Sequence, residues 1–302
     1  MTQTNPTVSV VMAAHNEAEY IGEAINSILN QTYSDFEFII IDDGSTDQTI
    51  DIIESFDDGR LYLLQNDTNR GLPASLNRGI KFADGKYIAR MDADDRSTPK
   101  RLEKQVKVLE QHQDVHVVSC WKGMIDKNGK NLGVRRINND VDWTEKWFRS
   151  HGPKIAHPSV MIRKRSLEGV GGYREEYIYA QDLDLWIRMA NTYNSNFVYV
   201  IQEQLFQLRL TPDRYKKRPL QIKFTEHAGK QDLENIDFNQ IVEETPDLPK
   251  SVQHNTYNYT VGRRLLIQGN RINAILKFLK AIKYKPNTVR PYYGLMLAFK
   301  FW

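Results

Sequence analysis

Val8-Ser9-Val10-Val11-Met12-Ala13-Ala14 is the stretch of sequence that decides the fold of this chain. Its side chains are apolar over nearly the whole length, which is typical of a β-strand that is buried on both faces of a sheet. Similar apolar runs recur through the first third of the chain, at Phe36–Ile41, Leu61–Leu64 and Tyr87–Met91. Because segments with helical periodicity separate these runs, the sequence predicts an α/β fold with a mostly parallel central sheet flanked by helices.

Composition limits the classes of protein that fit this chain. A length of 302 residues suffices for one large domain or two small ones, and the charged fraction of 26% is close to the average for soluble proteins. The net charge of +3 is too small to indicate a nucleic-acid partner. A single cysteine, Cys120, excludes a disulfide framework and a cysteine-based zinc site. We expect neither a signal peptide nor a membrane span, and therefore a cytoplasmic protein, with the inner face of the cell membrane as a further location.

Acidic residues follow two of the predicted strands at the point where each strand ends. Asp42-Asp43-Gly44-Ser45 comes after one strand, and Asp92-Ala93-Asp94-Asp95 after another. Ligands of parallel α/β sheets bind outside the carboxyl ends of the strands, so we expect both segments at one edge of the sheet. Adjacent carboxylates disfavour each other's ionised state, and a bound Mg²⁺ or Mn²⁺ reverses that penalty. The alternative is a pair of solvated turns that cap the next helices, with Ser45 and Thr46 as capping residues in the first.

The pattern changes along the chain and predicts its organisation. After the first 114 residues the sequence is less regular, with a predicted strand at His157–Ile162 and a helix that begins near Asp182. Beyond Pro212 the sequence becomes charged and helical. We therefore predict a catalytic domain over residues 1–215, with halves at 1–114 and 115–215, and a C-terminal helical extension over residues 216–302.

Five segments in order resemble the family 2 glycosyltransferases, which have the A-type, Rossmann-like nucleotide-sugar transferase fold. The resemblance extends over roughly residues 7–210. The matching segments are Val8–Glu17, Ile41–Asp47, Asn69–Leu72 with Asn77 and Gly79, Ala89–Asp95 and Gln181–Trp186. Five motifs in family order form a far more specific signal than any single one.

The resemblance implies a site for a nucleotide-sugar donor, with a UDP-sugar favoured. It places Ala14, Asp42 and Asp43 at the nucleoside. It also makes Asp94 a ligand of the Mg²⁺ or Mn²⁺ that bridges the diphosphate, and it places Asp92 at the ribose or at the metal through its water. The other donor-binding residues that it implies are Asn16, Glu17, Arg70 and Asn77. Arg70 is equally compatible with a solvated loop.

Asp182 is the residue that the resemblance assigns as the general base. An inverting transfer is one in-line displacement, which requires one group to accept the proton of the acceptor hydroxyl. Gln181 stands where the family has a glutamate, and helix capping is the alternative role for Asp182. We expect Asp184 to brace a neighbouring helix end or the acceptor pocket. Farther along, Arg209 fits the family pattern, but Thr211 stands where relatives often carry a histidine, so a third protein ligand for the metal is in doubt.

The sequence therefore predicts a metal-dependent, inverting, hexosyltransferase-like enzyme that moves a sugar from a nucleotide donor to a glycan or lipid-linked saccharide acceptor. Surface polysaccharide biosynthesis is the expected setting. A catalytically inactive nucleotide-sugar-binding relative and a sugar-phosphate nucleotidyltransferase are the alternatives. The latter needs a glycine-rich loop after the first strand, where this chain has Ala14-His15-Asn16-Glu17. A homo-oligomer is left open. The aromatic and cationic segment Val289–Trp302 fits either a peripheral membrane contact or packing within the protein.

Overall fold

The computed structural model describes residues 5–152, 154–230 and 237–299. The chain divides into two compact units. The first comprises Met1–Lys122, Arg136–Gln207 and Thr225–Glu234, and the second comprises Gly123–Arg135, Leu208–Phe224 and Asn235–Trp302. The boundary that the sequence predicts between a catalytic domain and a C-terminal helical extension, at residues 215 and 216, stays a prediction.

The strands form a mixed sheet, which confirms the predicted α/β architecture. Its strand order within the described residues is β3-β2-β1-β4-β8-β6-β9-β5, and β7 pairs with β6. The strands are β1 Val8–Ala14, β2 Phe36–Asp42, β3 Leu61–Gln65, β4 Tyr87–Asp92, β5 Arg96–Ser97, β6 Val117–Ile125, β7 Asn131–Arg135, β8 Met161–Arg163 and β9 Val198–Arg209.

Helices flank the sheet and make up the C-terminal region. They are α1 Ile21–Leu29, α2 Thr49–Glu54, α3 Leu72–Phe82, α4 Arg101–Gln111, α5 Glu145–His151, α6 Lys164–Gly169, α7 Gln181–Thr192, α8 Arg218–Lys230, α9 Phe238–Glu244, α10 Lys250–Ile267, α11 Arg271–Tyr284 and α12 Val289–Phe299. Within the described residues, no helix combines the length and the apolar character that crossing a bilayer requires.

The parallel part of the sheet is its first half. β1 lies between β2 and β4 and runs parallel to both, and β3 runs parallel to β2. Every residue of β2 is buried, as a continuous apolar run predicts. The second half is antiparallel, because β8 pairs antiparallel with both β4 and β6. The parallel pairing predicted from alternating strands and helices is therefore observed as far as β4, and the strands beyond it pair antiparallel.

Two local predictions are corrected by the structure. The strand predicted at His157–Ile162 begins only at Met161, because His157–Ser159 forms a 3-10 turn in which the Ser159 hydroxyl donates to the Ala156 carbonyl at 2.8 Å. Helix α2 is not capped by Ser45 or Thr46. Instead the Asp47 carboxylate accepts a hydrogen bond from the Thr49 amide at 3.0 Å.

The second unit has its own small core. Helices α10, α11 and α12 pack around the ring of Phe278, which is fully buried. Gly262 of α10 and Gly294 of α12 face this ring, and a Cβ added to them would lie 2.7 and 2.6 Å from Phe278 Cε1. Because no other residue leaves this much room, these two glycines set how closely the three helices approach one another.

Candidate active site

The carboxyl ends of three neighbouring strands bring the predicted donor residues of the first unit together. Asp42 of β2 lies opposite Ala14 of β1, and Asp92 of β4 lies opposite Ala13. The Ala14 carbonyl accepts a hydrogen bond from the Asp43 amide at 2.8 Å. The parallel register therefore places Ala14, Asp42 and Asp92 at one edge of the sheet, as the sequence predicts.

Asn16 joins the loop after β1 to the loop after β2. Its amide donates to Ser45 Oγ at 2.9 Å, and its side-chain Oδ1 accepts from the Thr46 amide at 2.8 Å. Its φ of +56° is in the left-handed region, which asparagine tolerates better than most residues. Ser45, through its hydroxyl, and Thr46, through its backbone amide, thus connect the two loops at the rim of the site.

Asp43 orders the next loop with its whole carboxylate. Oδ1 accepts hydrogen bonds from Asn66 Nδ2 at 2.7 Å and from the Arg70 amide at 2.9 Å, and Oδ2 accepts from the Gly71 amide at 2.9 Å. The Arg70 side chain is exposed. In this structure the carboxylate of Asp43 is therefore engaged in positioning Arg70, and its predicted contact with the nucleoside stays a prediction.

Asp42 differs from Asp43 in how its carboxylate is used. Oδ2 accepts a hydrogen bond from the Ser45 amide at 3.0 Å. Oδ1 is buried and has no hydrogen-bond partner among the described residues. A buried carboxylate oxygen without a donor is costly, so a ligand N–H or O–H would relieve that cost.

Asn77 lies on α3 and its side-chain amide contacts the backbone of Tyr173. Its Nδ2 donates to the Tyr173 carbonyl at 2.8 Å, and its Oδ1 accepts from the Tyr173 amide at 3.0 Å. Gly172, with φ of +67°, passes so close that a Cβ there would lie 2.9 Å from Asn77 Oδ1. The amide of Asn77 thus braces the loop before α7, and a role in donor binding stays a prediction.

Three carboxylates form the most concentrated acidic cluster of the site. Asp92, Asp94 and Asp95 each offer an oxygen that lies within 4.8 Å of the other two. Burial, together with the negative charges of Asp94 and Asp92, raises the pKa of Glu17 to about 8. Hard oxygen donors and a concentration of negative charge are properties that Mg²⁺ and Mn²⁺ sites share, so these residues fit a divalent cation. Sequence reasoning named Asp92 and Asp94 but did not make Asp95 a ligand.

Arg90 is a site residue that the sequence reasoning missed. Its guanidinium is buried, and Nη1 forms an ion pair with Asp92 Oδ1. Nε and Nη2 are also buried and have no hydrogen-bond partner among the described residues. Residues two apart on a strand point to the same face, so the spacing from Asp92 could have revealed this pairing.

Asp182 lies in the first turn of α7. Burial raises its pKa to about 6, against smaller opposing effects that include the charges of Lys122 and Arg90. Its Oδ1 accepts a hydrogen bond from the Leu183 amide at 2.9 Å. The residue before the helix, Ala180, has φ of +61°, a strained conformation for a residue with a Cβ. Such strain concentrates at functional sites because surrounding structure must enforce it.

A buried histidine and a buried tyrosine form a hydrogen-bonded pair in the first unit. His157 Nε2 and the Tyr173 hydroxyl are hydrogen-bonded at 2.7 Å. Burial raises the pKa of Tyr173, and the charges of Asp182 and Asp92 add to that rise. Burial also lowers the pKa of His157, which keeps the imidazole neutral. Both carboxylates therefore act on Tyr173 electrostatically, and a shared site for the base and the metal ligands stays a prediction.

The remaining residues singled out from the sequence have structural contacts. Asp184 forms ion pairs with Arg174 at 3.2 Å and with Arg188 at 2.7 Å, so it stabilises its own helix, α7, and joins it to the segment before it. In the second unit, Arg209 donates to the Lys127 carbonyl at 3.1 Å. Thr211 Oγ1 accepts a hydrogen bond from the Arg214 amide at 3.3 Å.

Comparison with known proteins gives results that agree with this geometry. A family model described as Glycosyl transferase family 2 matches residues 9–168. An uncharacterized glycosyltransferase of Methanocaldococcus jannaschii is 39% identical over 221 residues, which cover 70% of this chain and 74% of the relative. A UDP-Gal:alpha-D-GlcNAc-diphosphoundecaprenol beta-1,3-galactosyltransferase of Escherichia coli is 30% identical over 225 residues, which cover 72% and 79%.

A solved structure shares the fold at lower identity. A mannosyltransferase from Pyrobaculum calidifontis, in complex with GDP-Man and Mn²⁺, aligns with a TM-score of 0.59 and 19% identity. The alignment covers 99% of this chain and 87% of the mannosyltransferase chain.

Proposed function

Because this chain belongs to glycosyl transferase family 2, we propose that it transfers a sugar from a nucleotide-sugar donor, with a UDP-sugar favoured, to a saccharide or lipid-linked saccharide acceptor. The transfer is inverting and depends on a divalent cation. The galactosyltransferase relative uses UDP-Gal and a diphosphoundecaprenol-linked acceptor by its name, and this supports a lipid-linked acceptor and a setting in polysaccharide assembly. The cytoplasmic location expected from the sequence remains a prediction.

The observation that carries this proposal is that one unit contains both a cluster of three carboxylates and a further carboxylate whose pKa is raised. Asp92, Asp94 and Asp95 lie within 4.8 Å of one another, and the pKa of Asp182 is raised to about 6 in the same unit. Transfer from a nucleotide sugar needs these two elements, since the leaving diphosphate carries charge and the acceptor hydroxyl must lose a proton.

Asp92, Asp94 and Asp95 would hold the cation. When bound, it supplies positive charge that offsets the charge developing on the leaving diphosphate. Arg90 fixes Asp92 from beneath through its ion pair, so that this carboxylate is oriented before any ligand arrives. The free oxygen of Asp42 accepts a hydrogen bond from the base or ribose of the donor.

Asp182 accepts the proton of the acceptor hydroxyl. With a pKa of about 6 it is mostly ionised at neutral pH, yet it is a stronger base than an ordinary aspartate. The hydrogen bond from the Leu183 amide fixes the carboxylate at the start of α7.

A thermal-shift experiment on the full chain tests donor and metal binding together. A nucleotide sugar at about 100 times its Kd raises the free energy of unfolding by about 2.7 kcal/mol. We expect a UDP-sugar with Mn²⁺ to stabilise the protein more than a GDP-sugar with Mn²⁺. We also expect Asp94→Ala to remove the metal-dependent part of the effect. Asp57→Ala is the matched control, since Asp57 is an exposed acid on the first unit.

The results separate the alternatives. Stabilisation that is equal without metal, or equal in Asp94→Ala, would contradict the metal assignment, and a larger effect of GDP-sugars would contradict the preference for uridine. Release of nucleoside diphosphate with an acceptor distinguishes a transferase from an inactive relative that only binds donor. Pyrophosphate formed from a sugar phosphate and a nucleoside triphosphate would instead indicate a nucleotidyltransferase.

A further inference from the structure

The charge of this chain is divided unevenly along its length. After Asp247 the sequence contains ten Lys and Arg residues and no Asp or Glu, whereas the preceding part contains 31 Lys and Arg against 38 Asp and Glu. The net charge of +3 therefore conceals an acidic catalytic region and a strongly basic C-terminal region. Such asymmetry indicates a surface that meets an anionic partner.

Helix α12 has an apolar stripe on its exposed side. Val289 is 78% exposed, Tyr293 is 55% exposed and Met296 is 54% exposed. Spacings of three and four residues place them on one face of the helix, opposite the buried Gly294 and Ala298. An ordinary surface helix carries polar residues in these positions, so this stripe is suited to an apolar environment.

Helix α11 repeats the pattern with lysines beside it. Ile272, Leu276 and Leu279 are 69%, 53% and 49% exposed, and their spacing puts them on one face. Lys283 continues the same stripe, and Lys280 lies at its margin. The buried side of α11 instead holds Phe278, against which α12 packs.

A cavity in the same unit combines these two chemistries. Its lining includes Lys130 from the turn between β6 and β7, Leu132 from β7, and Leu276, Lys277 and Lys280 from α11. Burial lowers the pKa of Lys277, and the neighbouring lysines lower it further against the opposing charge of Asp126. A phosphate group would relieve the repulsion among these ammonium groups, and the leucines can contact the carbon chains attached to it.

We propose that the exposed stripes of α11 and α12 bind the surface of an anionic lipid bilayer, with their apolar side chains in the interfacial region and the lysines at the phosphates. These stripes and the lysines beside them would lie in the plane of the membrane interface and would not span the bilayer. Each basic residue near an anionic bilayer strengthens binding about fivefold, so several together suffice for reversible binding. A second copy of the chain fits poorly, because a symmetric contact would bring two cationic faces together.

Vesicle co-sedimentation of the full chain tests this surface, independently of whether the donor assignment holds. In about 50 mM NaCl we expect at least tenfold stronger binding to vesicles with about 40% phosphatidylglycerol than to pure phosphatidylcholine. Raising NaCl to about 500 mM should remove most of the binding, since screening shortens the electrostatic range.

Four variants separate the apolar and the electrostatic contributions. Met296→Glu and Lys283→Glu should each lower vesicle binding several-fold to about tenfold, since the first loses interfacial burial and the second reverses a charge. Phe82→Glu and Lys107→Glu are the matched controls, because both residues are exposed on the first unit, and they should bind as the unchanged protein does. Circular dichroism shows whether each variant is folded.

Three results would overturn the proposal. The first is an absence of binding to anionic vesicles by the unchanged protein. The second is binding that the control variants weaken as much as Met296→Glu and Lys283→Glu do. The third is a dimer in sedimentation equilibrium that Met296→Glu dissociates, without vesicle binding, since this would assign the face to a second copy of the chain.

Discussion

Replacing Asp182 by asparagine should lower activity and raise stability at the same time. In the folded protein the pKa of Asp182 is raised from 3.8 to about 6, so the folded state holds this proton more tightly than the unfolded state does. Stability is therefore lost as the pH rises through this interval, and the full cost is present above pH 6. A shift of about two pKa units corresponds to about 3 kcal/mol, and partial exposure reduces this to about 1–3 kcal/mol.

The activity of the same carboxylate depends on pH in the opposite direction. If the ionised form accepts the proton, its fraction is about 90% at pH 7 and about 10% at pH 5, so the transfer rate should fall about tenfold between them. Asp182→Asn should lower the rate by about 10²- to 10⁴-fold at pH 7, because a general base contributes this much. Donor binding should remain, since Asp182 is assigned to the acceptor hydroxyl.

Two measurements on one variant give the test. Urea denaturation at pH 5 and pH 8 gives the unfolding free energies, and release of nucleoside diphosphate gives the rates. Asp184→Asn is the control, because it breaks the ion pairs with Arg174 and Arg188 and should lower stability at both pH values. A loss of stability at pH 8 in Asp182→Asn, or turnover close to that of the unchanged enzyme, would refute the reasoning.

Three further substitutions test other parts of the structure. Gly294→Ala should lower the unfolding free energy, measured in urea, by about 1–3 kcal/mol, because the added Cβ would lie 2.6 Å from Phe278 Cε1. This loss should exceed the gain from the better helix propensity of alanine, and an increase in stability would contradict the packing. If the Asn77 amide only braces the loop, Asn77→Ala should lower the unfolding free energy by about 1–3 kcal/mol through its lost bonds to Tyr173, while calorimetric donor affinity stays within about twofold. A large loss of affinity would instead support the donor contact predicted from the sequence. Gln181→Glu should move the acidic limb of the pH–rate profile upward, because it adds a like charge beside the base, and an unchanged limb would assign that limb to another group.

The strands in the first half of the sheet could be predicted from local sequence pattern. The apolar runs gave β1, β2 and β4 within a residue or two, since a continuous apolar segment between helical segments has few other solutions. The second half could not be predicted in the same way. A strand such as β8 has only three residues, and its antiparallel pairing with β4 depends on partners far away in the sequence.

By itself the sequence determined the identity and the order of the acidic motifs, and their position at strand ends, because residue type and strand period are local properties. Only the tertiary structure decided how these motifs are used. Asp95 lies beside Asp92 and Asp94, and the buried Arg90 forms an ion pair with Asp92. The carboxylate of Asp43 accepts a hydrogen bond from the Gly71 amide. The raised pKa of Asp182 likewise follows from burial, which is a property of everything packed around a group and not of its neighbours in the chain.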